Sequence, residues 1–152
     1  YRGFLQKRLV AQIKAGPIVD KKGNILGQHK GIACYTIGQR EGLRIALGYP
    51  VYVIDIDPKK NKITVGKKED AYSDAFLVGK PHFILKPLKK KVALNVRIRY
   101  NHKEAGAEVM PFGNQIKVRF RKPQFAITCG QSAVFYDRDT VLGGGIIDKV
   151  LN

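Results

Sequence analysis

Apolar positions along the chain fall mostly into short runs, some with the strict alternation of a half-buried strand, and the runs are cut by Gly, Pro, Asn and Asp. Only the first segment departs from this. Phe4, Leu5, Leu9 and Ile13 recur at helical spacing, Lys7 and Arg8 take other positions, and Gly16-Pro17 stops the segment, which predicts a short N-terminal helix over Tyr1–Gln12. Ile18-Val19-Asp20 and Ile25-Leu26-Gly27 then flank Lys21-Lys22-Gly23-Asn24, a hairpin signal. Ile32–Ile37 reads as a further strand. Pro50–Ile56 is the clearest strand of the first half, apolar nearly throughout, and is predicted to be buried on both faces. In Asp57-Pro58-Lys59-Lys60-Asn61 the Asp opens a turn and the Pro fixes the next φ, so Lys62–Gly66 returns as the partner strand.

From Lys67 to Ala75 the pattern breaks into charged and small residues, and a domain boundary is expected between this stretch and Pro81. Pro81 and Pro87 frame Phe83-Ile84-Leu85, and Lys89-Lys90-Lys91 opens a new set of strands. In Val92–Tyr100, Val96 and Ile98 face one side while Arg97 and Arg99 face the other. Ala107–Phe112 and Gln115–Phe120 flank Gly113-Asn114 as a hairpin, with Lys117, Arg119 and Arg121 opposite Ile116, Val118 and Phe120. Phe125–Thr128, Ser132–Tyr136 and Val141–Ile147 complete six strands, with Asp137-Arg138-Asp139 as a turn. The expected fold class is mainly β: a small β-rich domain over 1–75 with its short helix, then a closed six-stranded barrel over 76–152. Basic faces on neighbouring strands predict a positive wall, or else the solvated outside of an antiparallel barrel.

Charge sharpens the picture. Lys and Arg number 28 against 12 acids, a formal net charge of +16 spread along all 152 residues. A folded domain this basic favours a polyanion, with nucleic acid ahead of a membrane surface; solubility is the competing reading. No apolar run approaches the length of a membrane span. Two cysteines, Cys34 and Cys129, stand far apart without metal spacing, which fits a reduced cytoplasmic protein and no disulfide framework. The chain has neither a signal peptide nor an initiator Met, so it is expected to belong to something longer.

The stretch with the strongest binding character is Tyr35–Leu43. Gly38 and Gly42 permit backbone shapes closed to other residues, and Gln39 and Arg40 between them carry donors suited to phosphate or ribose. The competing reading is an ordinary Gly-rich turn with a solvated Arg. Elsewhere chemistry is sparse. There is no nucleotide phosphate loop or dinucleotide fingerprint, and the acids form no pair or cluster. His29 has no second His or Cys at ligand spacing and reads as a turn or core hydrogen-bonder. Cys34 reads as core, and Cys129 as a turn residue. Gly143-Gly144-Gly145 predicts backbone packed closely on neighbouring strands or on a phosphate. No catalytic residue, metal ligand or cofactor site is assigned within the chain.

Several ordered motifs carry a resemblance. Gly16-x-Ile18-Val19-Asp20-x-x-Gly23-x-x-Leu26-Gly27-x-His29-x-Gly31, Tyr35-Thr36-Ile37-Gly38-Gln39-Arg40-x-Gly42-Leu43 and the Pro50-x-Tyr52-Val53 strand resemble the middle of the tRNA-specific 2-thiouridylases. Ile127-Thr128-x-Gly130-Gln131-Ser132-Ala133-Val134-Phe135-Tyr136 and Leu142-Gly143-Gly144-Gly145-Ile146-Ile147 are similar to the family's closing run, so the resemblance covers nearly the whole chain. It implies a three-part enzyme. An N-terminal domain binds ATP and Mg, adenylates the wobble uridine of certain tRNAs, and delivers sulfur to C2 through two cysteines. That domain's Ser-Gly-Gly-x-Asp-Ser loop and both cysteines are absent from this chain, which is expected to start a few residues after the second. What remains is a small central β-rich adaptor domain and a C-terminal barrel similar to the second domain of elongation factor Tu, both of which help hold tRNA. The implied partners are tRNA, the ATP-binding domain in cis and a sulfur-relay protein that donates persulfide sulfur, in the cytoplasm and away from membrane.

Residue by residue, the family's tRNA-contacting Arg-Tyr pair matches Arg99-Tyr100, and its contacting Gln in a Pro-Gly-Gln turn matches Gln131. With Gln39 and Arg40 these are the expected tRNA-binding residues. Asn101, Glu41 and Arg44 depart from the family pattern, and Cys34 and Cys129 stand where an aromatic and a proline are usual, so neither cysteine inherits a catalytic role. The alternative is a stand-alone RNA- or ribosome-associated barrel on the same scaffold. A methyltransferase reading, which older family names carry, finds no methyl-donor site in these residues.

Overall fold

The computed structural model describes residues 13–151; the helix expected over Tyr1–Gln12 lies outside them. The chain forms two compact units that divide between Ala71 and Tyr72. The first holds β1 (Gly16–Val19), β2 (Ile25–His29), β3 (Tyr52–Asp57) and β4 (Lys62–Gly66) in one sheet of order β2-β1-β4-β3. β1 and β4 run parallel, and the other two pairs are antiparallel. The β1–β2 hairpin forms where the Gly-Asn turn predicts it. Asp20 ties that turn, its Oδ1 accepting from the backbone N–H of Lys22 and Asn24 at 2.9 Å each.

Three expectations fail in this unit. Ile32–Cys34 is a single turn of 3-10 helix and not a strand. Gly31, at φ 135°, turns the chain, and the N–H groups of Cys34 and Tyr35 then close onto the carbonyls of Gly31 and Ile32 at 3.1 and 3.2 Å. Those groups are therefore lost to any sheet. Cys34 is exposed, so it is not a core residue. The strand over Pro50–Ile56 is buried on one side only: Val51 and Val53 enter the core, Ile54 and Ile56 are half-buried, and Asp55 is exposed. β3 is an edge strand, and its register shifts between Val53 and Asp55, which explains why an apolar run does not bury both faces.

Around Ile18, Ile32, Leu43, Val51, Val53, Ile63 and Val65 the sheet closes its core. His29 is buried at 1% exposure and holds two backbone groups: Nδ1 accepts from Gly31 N–H at 3.1 Å, and Nε2 donates to the Asn61 carbonyl at 2.8 Å. Asn61 in turn donates through Nδ2 to the carbonyls of Lys14 and Ala15 at 3.1 Å. A side chain at Gly16 would collide with the Asn61 carbonyl, so glycine is required there.

The second unit is a closed antiparallel barrel of six strands: β5 (Tyr72–Phe83), β6 (Val92–Arg97), β7 (Ala105–Phe112), β8 (Gln115–Phe125), β9 (Ser132–Asp137) and β10 (Thr140–Leu151), in order β10-β5-β8-β7-β6-β9. Closure leaves no unpaired edge. Alternation works where the sequence shows it. Ile116, Val118 and Phe120 are buried while Lys117 is half-exposed and Arg119 and Arg121 are exposed; Val96 and Ile98 are likewise inside. Phe76 and Phe135 are the largest fully buried side chains of the core, with Phe120 beside them at 3% exposure.

The count of six is right, but one member differs. Phe125–Thr128 is not a separate strand: β8 runs through Phe125, and Ala126 takes a φ of 56° that ends it. The strand that closes the barrel is β5. Ala75, Phe76, Leu77 and Val78 are buried in succession, so alternation is absent, and Pro81 reads as a breaker. Pro81 is tolerated because β10 shifts register between Gly144 and Ile146, opposite Lys80-Pro81, where no ladder bond is needed. The glycine triplet packs on strands: a Cβ on Gly143 would strike the His82 carbonyl, and one on Gly144 the Ala133 carbonyl.

Candidate nucleic-acid interface

Arg99 and Tyr100 leave the end of β6, and the Gln131 turn leads into β9, which pairs with β6 through Val96 and Phe135. Strand pairing thus joins residues far apart in sequence. Arg97, Arg99, Tyr100, Gln131, Ser132 and Tyr136 line one open depression of about 550 Å³.

Each polar group there has a different fate. The Arg97 guanidinium pairs with Glu104 at 3.1 Å and lies over the Tyr136 ring, 5.6 Å from its centroid. The backbone N–H of Glu104 first, and Arg97 second, hold the Glu104 carboxyl below its ordinary pKa. Arg99 instead donates from one Nη to the Ala126 carbonyl at 2.6 Å. No carboxylate pairs with it among the described residues, so its charge is oriented without being neutralised. Tyr100 is 91% exposed, a large aromatic face open to solvent.

Gln131 sits in a locked turn. Its backbone N–H donates to the Thr128 carbonyl at 3.2 Å, and its Oε1 accepts from Thr128 N–H at 3.1 Å. Its Oε1 is therefore engaged within the turn. The NH₂ group has no partner among the described residues and can donate to an oxygen or ring nitrogen.

The same turn occurs in the first unit. In Thr36-Ile37-Gly38-Gln39, Gln39 N–H donates to the Thr36 carbonyl at 3.1 Å and Gln39 Oε1 accepts from Thr36 N–H at 3.0 Å. Gly38 and Gly130 have φ values of 86° and 91°, the left-handed backbone that a type II turn reserves for glycine. Each turn is clipped to a neighbouring segment by two bonds. Gly38 N–H and the Gln39 carbonyl engage Val53 at 2.7 and 2.9 Å; Gly130 N–H and the Gln131 carbonyl engage Ile147 at 2.8 Å each. The Thr-x-Gly-Gln repeat is readable in the sequence, but its bonding is not.

The copies differ at the amide. Gln39 Nε2 donates to the Glu41 carbonyl at 2.9 Å, so both ends of this amide make local bonds. Arg40 beside it is exposed and makes no ion pair among the described residues.

Lys117 and Arg119 do not extend the depression into a wall. They lie on β8, separated from β6 by β7. Arg119 pairs with Asp74 at 3.1 Å, and Lys117 lies over the Phe112 ring, 5.8 Å from its centroid. Arg97 lines the depression on the basic face that alternation predicts for it and Arg99, whereas Tyr136 lines it with no local signal in the sequence.

The two units match separate domain families. Residues 2–67 match the tRNA methyl transferase PRC-barrel domain, and residues 73–147 the aminomethyltransferase beta-barrel domain. Over 151 residues, 98% of the chain, it is 46% identical to the tRNA-specific 2-thiouridylase MnmA 1 of Clostridium botulinum strain Okra, covering 43% of that protein. It is 47% identical over the same length to the tRNA-specific 2-thiouridylase MnmA of Halothermothrix orenii (42% of that protein), and 46% identical to that of Natranaerobius thermophilus (41%). The chain thus spans about two-fifths of the length of the curated relatives it matches. It belongs to the tRNA-specific 2-thiouridylase family and carries that family's central and C-terminal domains.

Proposed function

We propose that this chain is the tRNA-holding portion of an ATP-dependent tRNA 2-thiouridylase that acts in the cytoplasm. In this reading it grips the RNA while an ATP-binding domain in cis activates the wobble uridine, and a sulfur-relay protein supplies the sulfur placed at C2. ATP and Mg act in that other domain. The residues of this chain bind and orient.

One observation carries the reading: Arg99 is an arginine anchored by a carbonyl and, among the described residues, without a carboxylate partner, beside an exposed Tyr100 and the open NH₂ of Gln131. A guanidinium held this way forks onto a phosphate. The tyrosine ring stacks on an unpaired base or packs on ribose. The Gln131 amide donates to a base edge or a 2′-hydroxyl. Arg40, exposed beside a clipped turn, adds a phosphate contact in the first unit.

The test is tRNA affinity of Arg99→Ala across a salt series. The variant should lose about 1.5–3 kcal/mol, the scale of a hydrogen bond to a charged group. Its log–log salt slope should fall in magnitude by about 0.7–0.9, the loss of one phosphate contact. Arg119→Ala, which removes a cation already paired with Asp74, should change both quantities less. Unchanged affinity and slope in a folded Arg99→Ala protein would reduce this face to solvated surface.

A further inference from the structure

The first unit carries a further aromatic and basic site, outside the Thr-x-Gly-Gln turn. At the end of the β3–β4 pair, where Tyr52 lies opposite Gly66, the incoming segment Tyr49-Pro50 and the outgoing segment Lys67–Glu69 border an open cleft of about 430 Å³. That volume is within the range of about 300–1,000 Å³ typical of ligand clefts.

Tyr49 is 48% exposed, and the Lys67 ammonium lies over its ring, 5.6 Å from the centroid. The arrangement is built and not a chance collapse. Pro50 confines the backbone of Tyr49 to extended shapes. Asp70 accepts the Lys67 backbone N–H at 2.9 Å and takes the Lys21 ammonium at 2.8 Å, which fixes where the chain turns and leaves the Lys67 ammonium for the ring. Lys68 and Glu69 complete the rim.

We propose that this cleft is a stacking site for one base of a single-stranded RNA segment, with the flanking phosphates on Lys67 and Lys68. The inference rests on the RNA-binding reading above and adds a separate contact to it. Lys67 covers one face of the Tyr49 ring, so a base stacks on the other; an aromatic ring flanked by cations holds single-stranded nucleic acid with little sequence preference. Glu69 supplies an acceptor for an exocyclic amino group and repels phosphate, so the backbone runs on the lysine side. An acidic peptide would satisfy the lysines and leave the ring unread.

The chain contains no tryptophan, so a Tyr49→Trp variant reports on this cleft alone. Its fluorescence is followed while the whole chain is titrated with tRNA, single-stranded oligoadenylate, inorganic polyphosphate and polyglutamate. Both RNAs should quench it saturably, and the two base-free polyanions should not. Tyr49→Ala should weaken oligoadenylate binding about 5- to 150-fold with an unchanged salt slope, and Tyr49→Phe should stay within about twofold of the parent. The Phe variant keeps the reading falsifiable if the Ala variant is poorly folded. Quenching by polyphosphate or polyglutamate equal to that by RNA overturns base stacking. RNA binding that depends on Arg99 but leaves the tryptophan signal and Tyr49→Ala affinity unchanged overturns this site alone. Failure of every RNA to bind overturns the proposed function with it.

Discussion

Gln131 is informative at the scale of one residue because its two amide ends do different work. Oε1 closes the turn on Thr128 N–H, and NH₂ is open to a ligand. Gln131→Glu separates the two roles: a carboxylate oxygen still accepts from Thr128, but the donor becomes a negative charge. The variant should fold with a melting temperature close to that of the parent and lose tRNA affinity by about 1–3 kcal/mol, which paired melting and binding measurements would check. Equal tRNA affinity in the two proteins would mean the amide faces only water. His29 makes the same point from the other side. The absence of a second ligand residue identifies it as a hydrogen-bonder, and the structure shows which groups it bonds.

Turns and strands differ in how plainly the sequence declares them. Gly113-Asn114 and Lys21–Asn24 announce their hairpins because the special backbone and the residue that permits it coincide. β8 alternates between core and solvent and is equally legible. β5 is not: four consecutive buried residues and an internal proline conceal a twelve-residue strand, and only the register break opposite Pro81 makes it possible. Ile32–Ile37 misleads for the converse reason, since an apolar run beside Gly31 satisfies its backbone locally. The proximity of Arg99 to Gln131 depends on the pairing of β6 with β9, which no local pattern encodes. The Thr-x-Gly-Gln turn yields its own prediction. Cys129 occupies the second turn position, where a type II turn favours proline. Cys129→Pro should therefore stabilise the barrel by about 0.4–1 kcal/mol, measured by denaturant unfolding. A loss of stability would show that the Cys129 backbone is not shaped for proline.

For the whole molecule, charge and stability pull in opposite directions. A net charge of +16 favours a polyanionic partner and strains the fold by self-repulsion. Four carboxyls are held below their ordinary pKa: Asp20 by the Asn24 side chain, Asp57 by the Lys60 N–H, Asp70 by the Lys21 ammonium and Glu104 by its own N–H. A lowered folded pKa means that the ionised form is favoured by folding. The contribution is complete above the unfolded pKa, about 4, and disappears as pH falls through the lowered values. Three of the four lie in the first unit. The denaturant midpoint should hold steady from neutral pH to about 5 and drop steeply below about 4, with Asp70→Asn flattening that drop. A midpoint independent of pH in the acid range would exclude these carboxyls as contributors.

The clipped turn around Gln131 has a kinetic meaning. A glutamine on a free surface loses rotamer freedom when a ligand arrives, a cost of about 1.5–2 kcal/mol. Here the bond to Thr128 has already restricted the side chain, so its open donor behaves almost as part of the main chain. If the proposed RNA binding holds, encounter would be governed by the long-range field of the basic surface, which salt screens. The pre-set Gln131 contact would add to residence, and salt would scarcely touch that part of it. On the proposed reading, the speed of capture and the length of the stay depend on different features of the barrel, the second in part on a four-residue loop that acts beside Arg99 and Tyr100.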